Sequence, residues 1–257
     1  MIRKGAAALL LLAVVSCSKP SASPNQQITI RPIAARPSPT RATPHAGAES
    51  DPIIPGPGTY AAIPNSHLLT IYPKIDGNAA YSYNTDNPLH VRAPMLVTGA
   101  RRDQQDVAWV RLQMPFRPNG HEAWVHASDI TLKREDQKIV VDLRQRTLRW
   151  WDSGKLLHTF SVGIGTPQTP TTTGTYYVWE RIPQPNPDGP YGVFALGLSA
   201  FSRVETNWPG GGRIGIHGTP FASDQGNAVS HGCVRVFNPQ MILLEKVPLG
   251  TPVMIRQ

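Results

Sequence analysis

The sequence predicts a mainly β chain with one short helix, and three observations carry that prediction. From Thr59 onward the apolar residues come in short runs separated by turn formers, which is the pattern of strands. A single stretch, beginning at Asn238, has helical spacing. The 26 prolines among 257 residues are dense in the first quarter, which places the start of the folded part close to Thr59. That uneven composition suits two small domains better than one large one.

Taken in order, Met1–Ser16 has the build of an export signal: Arg3 and Lys4, an apolar run from Ala6 to Val15, then small residues ending at Cys17. The run is too short to span a bilayer. Val14-Val15-Ser16-Cys17 resembles the lipobox of bacterial lipoproteins, departing from it where Val14 stands in place of the preferred Leu. The resemblance implies a mature chain that begins at Cys17 with lipid on its sulfur and amine, enough acyl chains for stable anchoring. The competing reading is a plain secretory signal. Ser18 resembles the outer-membrane sorting signal of Gram-negative lipoproteins, so the expected location is the periplasmic side of the envelope, as an outer-membrane lipoprotein. Residues 18–58 are rich in Pro, Ser, Ala, Thr and Gly with few apolar anchors, and read as an extended tether. Forty residues of such chain reach on the order of 100 Å at about 3 Å per residue.

The net charge of +8 suits an acidic partner, whether nucleic acid, an anionic membrane or a carboxylate-rich wall polymer; it equally suits simple solubility. Cys17 and Cys233 are the two cysteines. In an oxidising compartment paired cysteines are usual, so an acylated Cys17 leaves Cys233 as a lone thiol where lone thiols are a liability.

Residues 59–133 are expected to form a small β-barrel module, with strands at Leu68–Tyr72, Leu89–Val91, Leu96–Thr98, Ala108–Leu112 and Ala123–His126. Breaks at Asp76-Gly77-Asn78, Asn87-Pro88 and Pro118-Asn119-Gly120 exclude a long helix. The pairing of Trp109–Leu112 with Glu122–His126 resembles the closing strands of bacterial Src-homology-3-like modules, and that resemblance implies a hold on murein. Trp109 and Trp124 read either as core residues or as a ligand platform.

Residues 134–257 form the second domain. Lys138–Asp142 and Thr147–Trp151 flank a short turn as a hairpin, and Lys155–Val162 follows as the next strand. Further strands are expected at Gly174–Glu180, Phe194–Leu198, Arg213–Ile216 and Pro252–Ile255. In the helix, Asn238 is a candidate cap and Pro239 suits the first position. Met241, Ile242, Leu244 and Val247 supply an apolar face before Pro248 ends it. Trp150 and Trp151 point to opposite sides of their strand.

The chemistry sits in Ile216-His217-Gly218-Thr219 and, eleven residues on, Ser230-His231-Gly232-Cys233-Val234-Arg235. A thiol becomes a strong nucleophile when a positioned base takes its proton, so Cys with a nearby His is the minimal machinery of acyl transfer. Spacing leaves both His217 and His231 open as that base. Gly218 and Gly232 allow close backbone approach, and amides around Gly232 and Cys233 suit a tetrahedral oxyanion. A metal is the competing reading of Cys233 with two histidines, but no fourth ligand stands at a familiar zinc spacing.

These residues resemble the signature of the L,D-transpeptidase catalytic domain, the YkuD family. The likeness extends over roughly 120 residues, through Ile139–Leu143, Gly165-Thr166-Pro167 to Pro170-Thr171 and Gly174, and Ala195–Leu198. It implies a mixed-sheet β-sandwich in which Cys233 is the nucleophile and His217 the general base. Gly218 would offer its carbonyl to orient that base, the role an Asp plays in serine triads. His231 and Gly232 would support the oxyanion site or the thiol. Some members have Asn two residues after the cysteine, where this chain has Arg235. Arg235 reads as a clamp for a stem carboxylate or as a structural ion pair. Ser230 reads as a substrate contact or a holder of the turn, and the loop Pro183–Pro190, followed by Tyr191 and Gly192, as a lid or a structural loop.

The resemblance implies peptidoglycan cross-linking: Cys233 attacks the carbonyl between diaminopimelate and the terminal D-alanine of a tetrapeptide stem, and a second stem's amine resolves the thioester. The expected partners are peptide stems and, through the lipid anchor, a membrane, with no nucleic acid, no metal and no organic cofactor. Two alternatives stay open: water as acceptor, giving a carboxypeptidase or cross-link hydrolase, and an inactive wall-binding tether.

Overall fold

A computed structural model describes residues 53–208 and 210–257. The expected export signal, the Cys17 lipobox and nearly all of the expected 18–58 tether lie outside the described residues. No helix among the described residues is long and apolar enough to cross a membrane.

The first module comprises β1 (Thr59–Pro64), β2 (Leu68–Ile71), β3 (Tyr81–Asn84), β4 (Met95–Arg102), β5 (Ala108–Gln113), β6 (Glu122–His126) and β7 (Ile130–Glu135). Five of them form an antiparallel sheet in the order β6-β5-β4-β1-β7. The β2–β3 hairpin is joined to it where Tyr72 and Trp124 exchange backbone hydrogen bonds of 2.8 Å each. Trp109 is buried and donates to Asp103 at 2.7 Å, so it belongs to the interior, whereas Trp124 is half-buried beneath the Arg111 guanidinium. Apolar alternation passes over β1, whose centre is Ala61-Ala62, and β7, which carries Lys133 and Arg134.

The strand expected at Leu89–Val91 is a turn. The Asn87 side chain accepts from the amides of Leu89 and Val91 at 3.0 and 3.1 Å, and His90 takes a left-handed φ of 58° between them. Local capture of backbone donors by an Asn side chain here outweighs a three-residue apolar run.

The second domain holds β8 (Gln137–Asp142), β9 (Thr147–Asp152), β10 (Lys155–Ser161), β11 (Ile164–Gly165), β12 (Gly174–Pro183), β13 (Phe194–Phe201), β14 (Arg213–Thr219), β15 (Ala228–Ser230), β16 (Val234–Phe237), α1 (Asn238–Leu244) and β17 (Pro252–Arg256). The β8–β9 hairpin falls where alternation places it. The mixed sheet runs β10-β9-β8-β17-β12-β13-β14-β16. The long β12 is shared: its first half pairs with β17 and its second with β13. Inner residues of both halves, among them Ile139, Trp150, Val178, Leu196 and Ile216, meet in one core with Met241 and Leu244 of α1. Ile242 is exposed, which narrows the apolar face of α1 to Met241, Leu244 and, just beyond the helix, Val247. The chain is therefore mainly β with a single α-helix among the described residues.

The two modules are packed together on the outer face of this sheet. Along β12, Tyr176 and Val178 point into the second domain's core while Tyr177 and Trp179 complete the first module's core. Gln113 of β5 donates to the Thr175 carbonyl at 2.8 Å and accepts through its own carbonyl from the Tyr177 hydroxyl at 3.1 Å. Asn119 clasps the backbone of Phe201 in both directions, at 2.7 and 2.8 Å. Arg117 donates to the carbonyls of Ser202 and Gly211 at 2.8 and 2.9 Å, so a loop of the first module fixes the segment before β14.

Candidate active site

The parallel pairing of β14 with β16 sets Ile216 beside Val234 and His217 beside Arg235, which brings Cys233, one residue before β16, next to Gly215. Successive strand residues alternate sides, so Gly215 and His217 share one face. His217 and Cys233 line the same cleft, of about 260 Å³, together with Arg213, Ser230, His231, Arg235, Tyr191 and Trp208.

His217 is buried and its Nδ1 stands 2.8 Å from the Gly218 carbonyl oxygen. A carbonyl only accepts, so Nδ1 carries the proton and Nε2 is left as a bare lone pair. Burial, the dominant cause, lowers the imidazole pKa to about 4, against the opposing effect of the Gly218 contact. The ring is thus neutral near neutral pH, in the tautomer a base requires. A side chain on Gly218 would collide with Asn238 Oδ1 and with the Val193 amide, so glycine is required for that close approach.

Burial pushes the Cys233 thiol above its ordinary range, opposed by the Gly215 amide and by Arg235. The Gly215 N–H points at Sγ across 3.3 Å and favours developing negative charge there. Sequence reasoning missed Gly215, although its place two residues before His217 on a strand is the signal that could have found it.

The structure sorts the remaining candidates. Ser230 Oγ donates to the Cys233 carbonyl at 2.5 Å and accepts from the Gly232 amide at 3.1 Å, so it ties the turn that carries the thiol. With its amide spent on Ser230, Gly232 does not offer the oxyanion donor expected of it; with φ at 118° it serves the turn. Thr169 Oγ1 and the Thr166 amide both donate to the Ser230 carbonyl, which seats the Gly165–Thr171 segment against the same turn. His231 stands exposed at the rim, stacked on Trp208 with ring centroids 5.1 Å apart. Arg235 pairs with Asp224 at 3.2 Å, and Asp224 also accepts from the Thr219 hydroxyl at 2.7 Å. The guanidinium lines the cleft even so, and its Nε is buried without a partner.

Asn238 does not cap α1. Its side chain accepts from the Val193 amide at 3.1 Å and donates to the Pro187 carbonyl at 2.9 Å, anchoring the loop that precedes β13. That loop lays Tyr191 edge-on to His217, with ring centroids 5.2 Å apart. Among the described residues no three His, Cys, Asp or Glu side chains converge as metal ligands.

Comparison with known proteins identifies the domain's family. The L,D-transpeptidase catalytic domain (YkuD) family matches residues 136–255. The putative L,D-transpeptidase YkuD of Bacillus licheniformis is 38% identical over 119 residues, 46% of this chain and 64% of that protein. The putative L,D-transpeptidase YqjB of Bacillus subtilis is 31% identical over 132 residues, 47% of this chain and 71% of that one. The chain thus spans a little under two thirds of the length of the YkuD relatives. Among solved structures, an L,D-transpeptidase from Mycobacterium smegmatis is 17% identical over 58% of this chain and 90% of its own, with a TM-score of 0.40. On the matched domain and its relatives, the chain belongs to the L,D-transpeptidase catalytic domain family.

Proposed function

We propose that this protein is a peptidoglycan L,D-transpeptidase that works through a Cys233 acyl-enzyme. The observation that carries the reading is the His217–Gly218 bond, which leaves a neutral imidazole with a bare Nε2 in the cleft that holds Cys233.

In the proposed reaction, Sγ attacks the carbonyl carbon between diaminopimelate and D-alanine while Nε2 of His217 takes the thiol proton. Collapse of the tetrahedral intermediate breaks the C–N bond, and the same proton passes to the departing D-alanine amine. An amine from a second stem then attacks the thioester, gives up a proton to Nε2, and Sγ leaves as the thiol reclaims that proton. Because burial keeps the resting thiol protonated, proton transfer accompanies attack. The Gly215 amide favours the thiolate as it forms and departs. Arg235, beside the thiol and lining the cleft, suits a stem carboxylate. The lipobox pattern at Cys17 supports an anchored protein that acts on the wall from the periplasmic side.

The test supplies the full-length protein with disaccharide-tetrapeptide and follows products by mass spectrometry. Release of D-alanine with a dimer joined between two diaminopimelates is expected. Tripeptide without dimer would make the protein a carboxypeptidase, and cleavage of pre-formed dimers a hydrolase.

A further inference from the structure

The first module covers only part of the sheet's outer face. Tyr177, Trp179 and Ser199 of β12 and β13 lie beneath it, and Arg213 of β14 reaches back to the Pro115 carbonyl. Over β17, β8 and β9 the same face stays open as a groove of about 610 Å³, walled by Thr59, Leu96 and Val97 of the module.

Strand register lays out its floor. Trp151 pairs with Lys138 in one cross-strand row, and Arg149, Val140, Met254 and Thr175 form the adjacent row. Val140 and Met254 give an apolar strip, and Met254 is 46% exposed. Lys138, Arg149 and Arg256 border the strip, with the Lys138 ammonium 5.4 Å from the centre of the Trp151 ring. Among the described residues no acidic side chain lines the groove, although Asp142 pairs with Arg256 at 3.5 Å from beside it. An apolar strip beside an indole, bordered mainly by cations, is complementary to a ligand that is flat and aliphatic on one side and carries carboxylates at its edges.

We propose that this groove binds the glycan strand of the wall polymer, with Trp151 and Met254 under the sugar faces and Lys138, Arg149 and Arg256 on the carboxylates of its attached peptide stems. The inference deepens the wall-polymer reading of the active site and rests on it for the identity of the strand. Charge complementarity selects this occupant over the chain's own N-terminal segment, since residues 18–52 carry Lys19, Arg31, Arg36 and Arg41 against Glu49 and Asp51 and would repel the groove. Its concavity suits an extended polymer better than a flat bilayer surface. Four strand steps separate β17 from β16, roughly 20 Å at the usual strand spacing. By register, His217 lies on the same outer face as the groove, with the first module seated between them, so a strand held there is bound beside the active site and not in it.

The test compares full-length wild type, the pair Lys138→Glu with Arg149→Glu, and Trp151→Ala. Co-sedimentation with purified sacculi should weaken about tenfold in the reversal pair and about threefold in Trp151→Ala, and wild-type binding should fall as salt is raised. Turnover of soluble disaccharide-tetrapeptide should stay at the wild-type level while turnover of intact sacculi drops with binding. Should the reversal pair fail to fold by thermal melting, Lys138→Gln with Arg149→Gln removes the charge on the same scaffold and carries the test. Unchanged sacculus binding in the variants overturns the proposal, as does a loss seen only with phosphatidylglycerol vesicles. If wild type turns over neither substrate, the transpeptidase reading falls while the binding comparison still judges the groove.

Discussion

Trp208 Nε1 donates to the Tyr191 hydroxyl at 3.3 Å, tying the segment before β13 to the segment before β14 across the cleft. Both rings are partly exposed, so the bond belongs at the low end of the usual range of about 0.5–1.5 kcal/mol. Tyr191→Phe should therefore raise KM about threefold with little change in kcat or Tm. Steady-state kinetics on a soluble stem checks this, and a fall in kcat at constant KM would give Tyr191 a part in the chemistry instead.

Cys233→Ser and His217→Ala should each lower kcat by about 10³-fold or more, because in the proposed reaction the two act as a unit. Their stabilities should differ. Serine fits the thiol's place, whereas removing the imidazole leaves the buried Gly218 carbonyl unpaired, at a cost of about 1–3 kcal/mol. Differential scanning calorimetry should show only the histidine variant melting several degrees low. His231→Ala, at the exposed rim, should cost far less activity; a loss equal to that of His217→Ala would move the base assignment to His231.

The protonation states set a pH profile. With His217 held at about 4 and the Cys233 thiol pushed above its ordinary value, neutral base and protonated thiol coexist across a wide window. kcat/KM should be level from about pH 5 through neutral and into the basic range, without the step near 6.5 that an exposed histidine gives. Stability follows the same groups. Between about 4 and 6.5 the unfolded chain binds a proton at His217 that the folded chain refuses, so stability rises with pH over that interval and is lost as acid is added. His217→Gln should flatten this acid limb, which urea melts at pH 4.5 and 7 measure.

Arg235 makes a separate prediction. Its ion pair with Asp224 leaves part of the guanidinium facing the cleft, so Arg235→Ala should raise KM for a free-carboxylate stem about tenfold and for an amidated stem much less. Equal effects on both stems would leave only the ion-pair role.

The two residues proposed for catalysis were legible because their chemistry is written in short motifs: His217-Gly218 and Ser230–Arg235 each name their residues without reference to the fold. What joins them was not, since the β14–β16 pairing is non-local and β16 is only four residues long. The same limit hid Asp224 as the partner of Arg235 and Asn238 as the anchor of the loop before β13. A side chain's partner across dozens of residues leaves no local trace, and Asn238 before a proline reads as a cap whatever it holds. Strands with clear alternation, such as β5, β8 and β9, were read nearly to the residue. β1 escaped because Ala61-Ala62 lacks β-branched or aromatic bulk, and Leu89–Val91 misled because three apolar residues outweigh one Asn in a pattern but not in a turn.

Acylation of Cys17 is expected from the lipobox pattern. Metabolic labelling with a clickable fatty acid should mark the wild-type protein and spare Cys17→Ala, and equal labelling of the two would end the lipoprotein reading.

β12 gives its odd and even residues to different interiors, Tyr177 and Trp179 to one and Tyr176 and Val178 to the other. Melting either half would strip one side of a strand the other half still needs, so the pair should denature as one cooperative unit despite its modular outline. For the same reason the catalytic half is not freely portable. A fragment starting at residue 134 would show water an indole and a phenol that are fully buried in the intact chain, and such surface favours aggregation over folding.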